Sequence, residues 1–150
     1  MVRLWLFLHL LGFTMWLGGA LSTMFAGIAA RDESRTALGA VVRAQAAVQR
    51  VVIGPGSLIT ILSGLMLTLN LTNRFGETEG VGPWLAVMQV TGLAAGLLTL
   101  FVTVPTSARL ARLDPETHAA AFDQLRKRLK LAASISGSLG LIALLAGALL

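Results

Sequence analysis

The sequence predicts an all-α fold, an antiparallel four-helix transmembrane bundle. Three observations lead there. Charged residues make up 13% of the chain against 55% hydrophobic, whereas soluble domains carry about 25% charge. Four apolar runs, Leu4 to Ala30, Val48 to Asn70, Pro83 to Ala108 and Leu129 to Leu150, stand out, and each exceeds the roughly 20 residues a helix needs to cross a bilayer. The connections are short, which makes successive helices antiparallel. Residues 1–150 read as one integral membrane domain, because the four runs leave no room for a separate soluble one.

The first run is too long for the apolar core of a secretory signal and has no clear cleavage site after it, so it reads as a spanning helix. At about 100° per residue, His9, Gly12, Trp16, Gly19, Thr23 and Gly27 fall in one stripe. Small residues on that face invite a close neighbour. Leu6, Phe7, Leu10, Leu17 and Leu21 lie elsewhere on the helix and suit lipid, and Trp5 suits an interface.

From Arg35 the pattern predicts a short surface helix with Leu38, Val41, Val42 and Ala46 as its apolar stripe, leading into helix 2. Gly54-Pro55-Gly56 predicts a kink there, since proline removes a backbone hydrogen bond. Asn70, Thr72 and Asn73 start a connection kept irregular by Gly76, Gly80 and Gly82. Helix 3 begins at Pro83-Trp84, uses Gly92 and Gly96 as a packing pair, and carries Pro105 near its far end. Asp114-Pro115-Glu116 reads as a capped helix start. His118, Phe122, Leu125 and Leu129 then share a face that ends in Arg126, Lys127, Arg128 and Lys130, a basic amphipathic helix suited to anionic lipid. Helix 4, with Ser134, Ser136, Gly137, Ser138, Gly140 and Gly147, is expected to pack closely and to carry no chemistry.

The net charge of +5 does not point to nucleic acid, because the bases are concentrated in the first and third connections. Positive-inside asymmetry places those connections in the cytoplasm and both termini outside, in a bacterial-type plasma (inner) membrane. Arg3 is the one dissenting charge. Cysteine is absent, which excludes disulfides, thiolate metal sites and thiol catalysis. No Asp or Glu lies within a spanning run, which argues against a carboxylate proton relay. No nucleophile–base pair, phosphate loop or two-histidine metal motif is present.

His9 is the one ionisable side chain well inside an apolar run, and such a group faces the bundle interior. Helical rise places Met66, Met88 and Gln89 near its level. Imidazole with thioether suits haem iron or copper, and covalent haem is excluded because there is no CxxCH. Three readings of His9 stand side by side: a haem or copper ligand, with Met66, Met88 and Gln89 as companions; a packed histidine hydrogen-bonded to Gln89 or a backbone carbonyl; or a proton-handling group. Methionines in apolar helices are also ordinary filler. His118 reads as an interfacial side chain.

The spacings His9-x6-Trp16-x2-Gly19 and Arg50-x4-Pro55-x8-Gly64 resemble those of a group of small membrane proteins. That group includes the HemJ-type protoporphyrinogen oxidases, the CopD copper-resistance domain and DUF2269-like proteins. The resemblance covers helices 1 and 2, and the remainder only in layout. It implies that Gly12, Trp16, Gly19, Arg50, Pro55 and Gly64 are structural and that His9 takes the haem-binding role of the HemJ-type histidine. The HemJ-type Trp-Leu-His-x-Lys pattern is here Trp84-Leu85-Ala86-Val87-Met88, without the histidine and lysine, so a CopD- or DUF2269-like protein is the closer match.

The expected function is a redox or metal-handling membrane protein with haem b or copper at His9. The alternative is a cofactor-free structural or accessory subunit, as a homo-oligomer or within a membrane complex. Whether it is an enzyme stays open. Single cysteines at Ser34 and Gly80 are expected to be labelled from opposite sides of intact cells. Labelling of Ser34→Cys from outside would overturn the orientation.

Overall fold

The two prolines inside apolar runs shape the backbone. Proline cannot donate to the carbonyl four residues back, and its ring collides with it. In the computed structural model, which describes residues 2–75 and 82–149, each proline follows a π-helical turn that inserts one residue upstream of it. One turn spans Gln49–Ile53 and closes with the Gly54 N–H donating to Gln49 O. The other spans Thr99–Thr103 and closes with the Val104 N–H donating to Thr99 O. Pro55 and Pro105 are therefore carried within continuous helices.

The helices are α1 (Val2–Ala29), α2 (Arg35–Val48), α3 (Gly54–Phe75), α4 (Pro83–Leu98), α5 (Val104–Leu110) and α6 (Ala119–Ala148). The π turns join α2 to α3 and α4 to α5, leaving, among the described residues, four helices long and apolar enough to cross a membrane. The expected surface helix is thus the first part of the second spanning helix, and α3 runs past Asn70 to Phe75. The expected irregularity of the connection falls on residues 76–81, which lie outside the described residues.

Packing is organised as two helical hairpins. α1 lies along α3, α4 lies along α6, and the hairpins meet mainly through α3, α4 and the π turns. The α1–α3 seam is backbone on backbone. A Cβ on Gly12 would stand 2.8 Å from Gly56 O, and one on Gly56 would stand 2.8 Å from Trp16 N. Gly19 admits Ile53 in the same way. The buried residues of α1 are Gly12, Trp16 and Gly19, which bears out the stripe read from the sequence. Of the expected lipid-facing residues Leu6, Phe7, Leu10 and Leu21 are exposed, whereas Leu17 is half-buried and faces a cavity.

Two apolar clusters hold the bundle. Trp16, Ile53 and Ala95 form the middle one, joined by Phe13, Val48 and Leu139. Ala30, Leu38, Val42, Leu110 and Phe122 form the other, at the end carrying the basic connections. There α2 is clipped to the α5–α6 connection: Arg35 donates to Pro115 O at 3.3 Å and pairs with Asp123 at 3.2 Å. Gly39 also lets Pro115 sit against α2.

The start of the last helix differs from expectation. Asp114 accepts from the Glu116 N–H at 2.8 Å and opens a single turn. His118 then leaves helical backbone (φ −120°, ψ 40°), so α6 begins at Ala119. The basic stretch and the last apolar run are one uninterrupted helix, with Phe122 fully buried in the end cluster.

The seam makes a sharp prediction. Gly12→Ala forces a methyl against backbone atoms of α3 that have nowhere to go, an overpacking cost of about 1–3 kcal/mol. Gly18→Ala meets nothing within 4 Å. In detergent, Gly12→Ala is expected to lower the melting temperature clearly and Gly18→Ala to leave it level or slightly raised. Equal effects would show that the α1–α3 contact is not backbone-close.

Candidate functional site: a cleft between the first and last helices

Backbone polar groups inside a bilayer must be satisfied within the protein, and helices do this for themselves. Side-chain polar groups need separate partners. Most hydroxyls bond back to a carbonyl of their own helix, as Thr60 does to Gly56 and Thr68 to Gly64. The exceptions reach across helices, and they locate the sites.

His9 is the first. Its Nδ1 lies 2.9 Å from Thr60 O and 3.3 Å from Ser63 Oγ on α3. A carbonyl only accepts, so Nδ1 carries the proton and Nε2 keeps its lone pair. Gly64 makes the space, since a Cβ there would stand 3.0 Å from His9 Cε1. Met66, Met88 and Gln89 take other places. Met66 is 38% exposed, Met88 lies under Gly147, and Gln89 donates to Thr68 Oγ1 at 2.9 Å. Among the described residues, no three His, Cys, Asp or Glu side chains converge. His118 is exposed beside Thr117.

Trp16 is the second. Its indole N–H donates to Thr99 Oγ1 at 3.1 Å. Thr99 and Ser136 hydroxyls lie 2.7 Å apart, and both reach Ala95 O. Three spanning helices are tied at this point. Phe13 braces the indole edge-on, with centroids 6.3 Å apart.

From the level of Phe13 and Leu141, past this node and on to the basic end, α1 and α6 both line one opening. Between them lies a cavity of about 550 Å³, within the roughly 300–1,000 Å³ typical of small-molecule sites. Phe13, Trp16 and Leu141 line its apolar end; Gln49, Thr103 and Ser107 line its polar floor; Arg31, Arg126 and Lys130 stand at its basic end. Gly137 and Gly140 of α6 also line it, and a Cβ on either would meet nothing within 4 Å. The small face of α6, expected to receive a neighbouring helix, borders open space at these two glycines.

Gln49 marks the floor. It is 5% exposed, and its Oε1 is buried without a hydrogen-bond partner among the described residues. The neighbouring amide, Gln45, is satisfied by donating to Thr23 O at 2.7 Å. A buried amide oxygen left unpaired costs about 1–3 kcal/mol, and one in a cavity wall calls for a donor from whatever fills the cavity, water or ligand. A sequence signal for it exists: Gln49-x5-Pro55-x-Ser57 repeats as Thr99-x5-Pro105-x-Ser107. In both copies the first residue of the π turn is buried and lines the cavity. Of the other residues expected to be structural, Arg50 is exposed on the π turn and Pro55 follows that turn.

A family model described as "Predicted integral membrane protein (DUF2269)" matches residues 3–150. No curated protein and no solved structure matches the chain.

Proposed function

The chain belongs to that family of predicted integral membrane proteins, and from this premise we propose that it is a membrane-embedded binding protein whose ligand enters sideways from the bilayer between α1 and α6. The observation that carries this reading is the buried Gln49 Oε1, without a hydrogen-bond partner among the described residues, in the wall of a cavity that the helices leave open. The ligand's polar group completes Gln49, and its apolar part lies against Phe13 and Trp16. In this reading the basic end faces the cytoplasm of a bacterial-type plasma membrane, because Lys- and Arg-rich connections resist translocation.

Full-length protein purified in mild detergent is expected to carry one small molecule per chain by mass spectrometry of the intact complex. Gly137→Leu fills the cavity without meeting another atom at Cβ, so it should lose that molecule while keeping its helicity. Gln49→Leu should weaken retention and raise the melting temperature of the empty protein, since it removes an unpaired buried amide worth about 1–3 kcal/mol. A Gly137→Leu protein that retains the molecule would overturn the reading.

A second reading rests on His9. With Nδ1 held by Thr60 O, Nε2 is free to act as a ligand, the arrangement by which a backbone carbonyl orients metal-binding histidines. The HemJ-like spacing around His9 adds to it. His9 would hold a haem iron through Nε2, and the haem would supply one-electron chemistry when bound. Copper would draw on Met66 or Met88 as a thioether companion to His9. A Soret band from wild-type protein expressed with excess haem, absent from His9→Ala, is the expected result, and metal analysis of the same sample tests copper. Colourless, metal-free wild-type protein ends this reading. If the cleft is empty as well, the accessory-subunit alternative takes its place.

A further inference from the structure

The walls of the cleft are chemically graded, and the gradient identifies a class of ligand. We infer that the cleft holds a phosphate-bearing membrane lipid, its headgroup at Arg31, Arg126 and Lys130 and its chain running between α1 and α6 toward Trp16. This deepens the binding reading above and rests on it.

The charge comes first. Arg31, Arg126 and Lys130 line one end of the cavity. Among the described residues none of the three is in a salt bridge, whereas Arg35 on the same end of the molecule is paired with Asp123. Three unpaired cations around one opening repel one another and a cationic ligand, and a neutral ligand leaves that repulsion in place. A phosphate relieves it, and guanidinium groups match its oxygens two at a time.

Length comes second. Lys130 and Gly140 both line the cavity on α6. They are ten residues apart, about 15 Å at a helical rise of 1.5 Å. A free phosphate would occupy the basic end alone and leave the wall of Leu17, Leu141, Gly137 and Gly140 facing nothing. A lipid chain fills it, and the lateral opening between α1 and α6 is the route by which one arrives from the bilayer.

The third element is the polar stretch partway along. Gln49 Oε1 needs a donor, and Thr103 and Ser107 line the same cavity. A water carried in with the lipid supplies that donor beside its esterified backbone; the headgroup decides the rest, since a phosphatidylcholine adds a cation at the basic end and a phosphatidylglycerol does not.

The test uses full-length protein in detergent and mass spectrometry of the intact complex with three probes: dioleoylphosphatidylglycerol, dioleoylphosphatidylcholine and glycerol phosphate. One phosphatidylglycerol should be retained per chain, at least about tenfold more tightly than phosphatidylcholine, because each surface-level cation contributes on the order of 1 kcal/mol toward an anionic lipid. Glycerol phosphate should not displace it. Arg126→Gln with Lys130→Gln should reduce phosphatidylglycerol to the phosphatidylcholine level, and Gly137→Leu or Gly140→Leu should exclude both lipids.

If the charge variant keeps its preference while Gly137→Leu still excludes lipid, the headgroup assignment is wrong and the cleft reading survives. If both glycine variants bind lipid as wild type does, the cleft is not the site and both readings fail. Displacement by glycerol phosphate would make the headgroup alone the ligand and overturn the lipid. A lipid-free complex of two chains, dissociated by Gly137→Leu, would identify the cleft as a contact between copies and overturn it as well.

Discussion

The approach of α1 to α3 at Gly12 and Gly56 is the contact on which the other arrangements depend. Without side chains on either surface, the two helices meet at backbone distance, where many weak dispersion contacts add up and no bulky residue holds the pair apart. That closeness carries His9 over the Thr60 carbonyl and lets Ile53 seat against Gly19. It also commits α1 to one side of the bundle. α6 is committed to α4, and Trp16 through Thr99 and Ser136 is the bridge that keeps the two hairpins in register. A bundle closed on one side and bridged at mid-height is left open on the other, and the cleft follows from that geometry.

Satisfaction of polar groups sorts the interior into structure and site. Short hydroxyl side chains reach the preceding turn of their own helix, so Thr60, Ser63 and Thr99 bury their oxygens at little cost and remain able to accept a second bond. An amide offers two donors and an acceptor at the end of a longer stem and needs partners elsewhere. Gln45 finds one on α1 and Gln89 one on α3. Gln49 has the same chemistry, but it stands on the π turn facing the parted helices. The extra residue that accommodates Pro55 thus occurs in the segment whose first side chain lines the cavity.

Much of this was legible in the residues. Hydropathy marked four spans because bilayer thickness sets a length, and the small stripe of α1 was readable because helical period alone groups residues on a face. The carbonyl partner of His9 belonged to one of the readings weighed for it, although Thr60 was not named. Glycines were harder to interpret. Gly12, Gly19, Gly56 and Gly64 sit against a neighbour, while Gly137 and Gly140 border empty space, and nothing in the local sequence separates the two cases. Equal depth along a helix does not say what a side chain meets: Met88 lies against Gly147, and Gln89 bonds Thr68.

The sequence by itself determined an all-helical membrane protein with four spans, a close-packing face on α1 and two prolines that ordinary α-helix cannot absorb. These follow from solvent, period and covalent geometry, each of which acts along the chain. Only the tertiary structure decided which helices would touch and which would part, that a π turn rather than a break would carry each proline, and that Gln49 would be buried without a partner. Those outcomes depend on how one surface fits another, and a residue's type does not say what will stand opposite it.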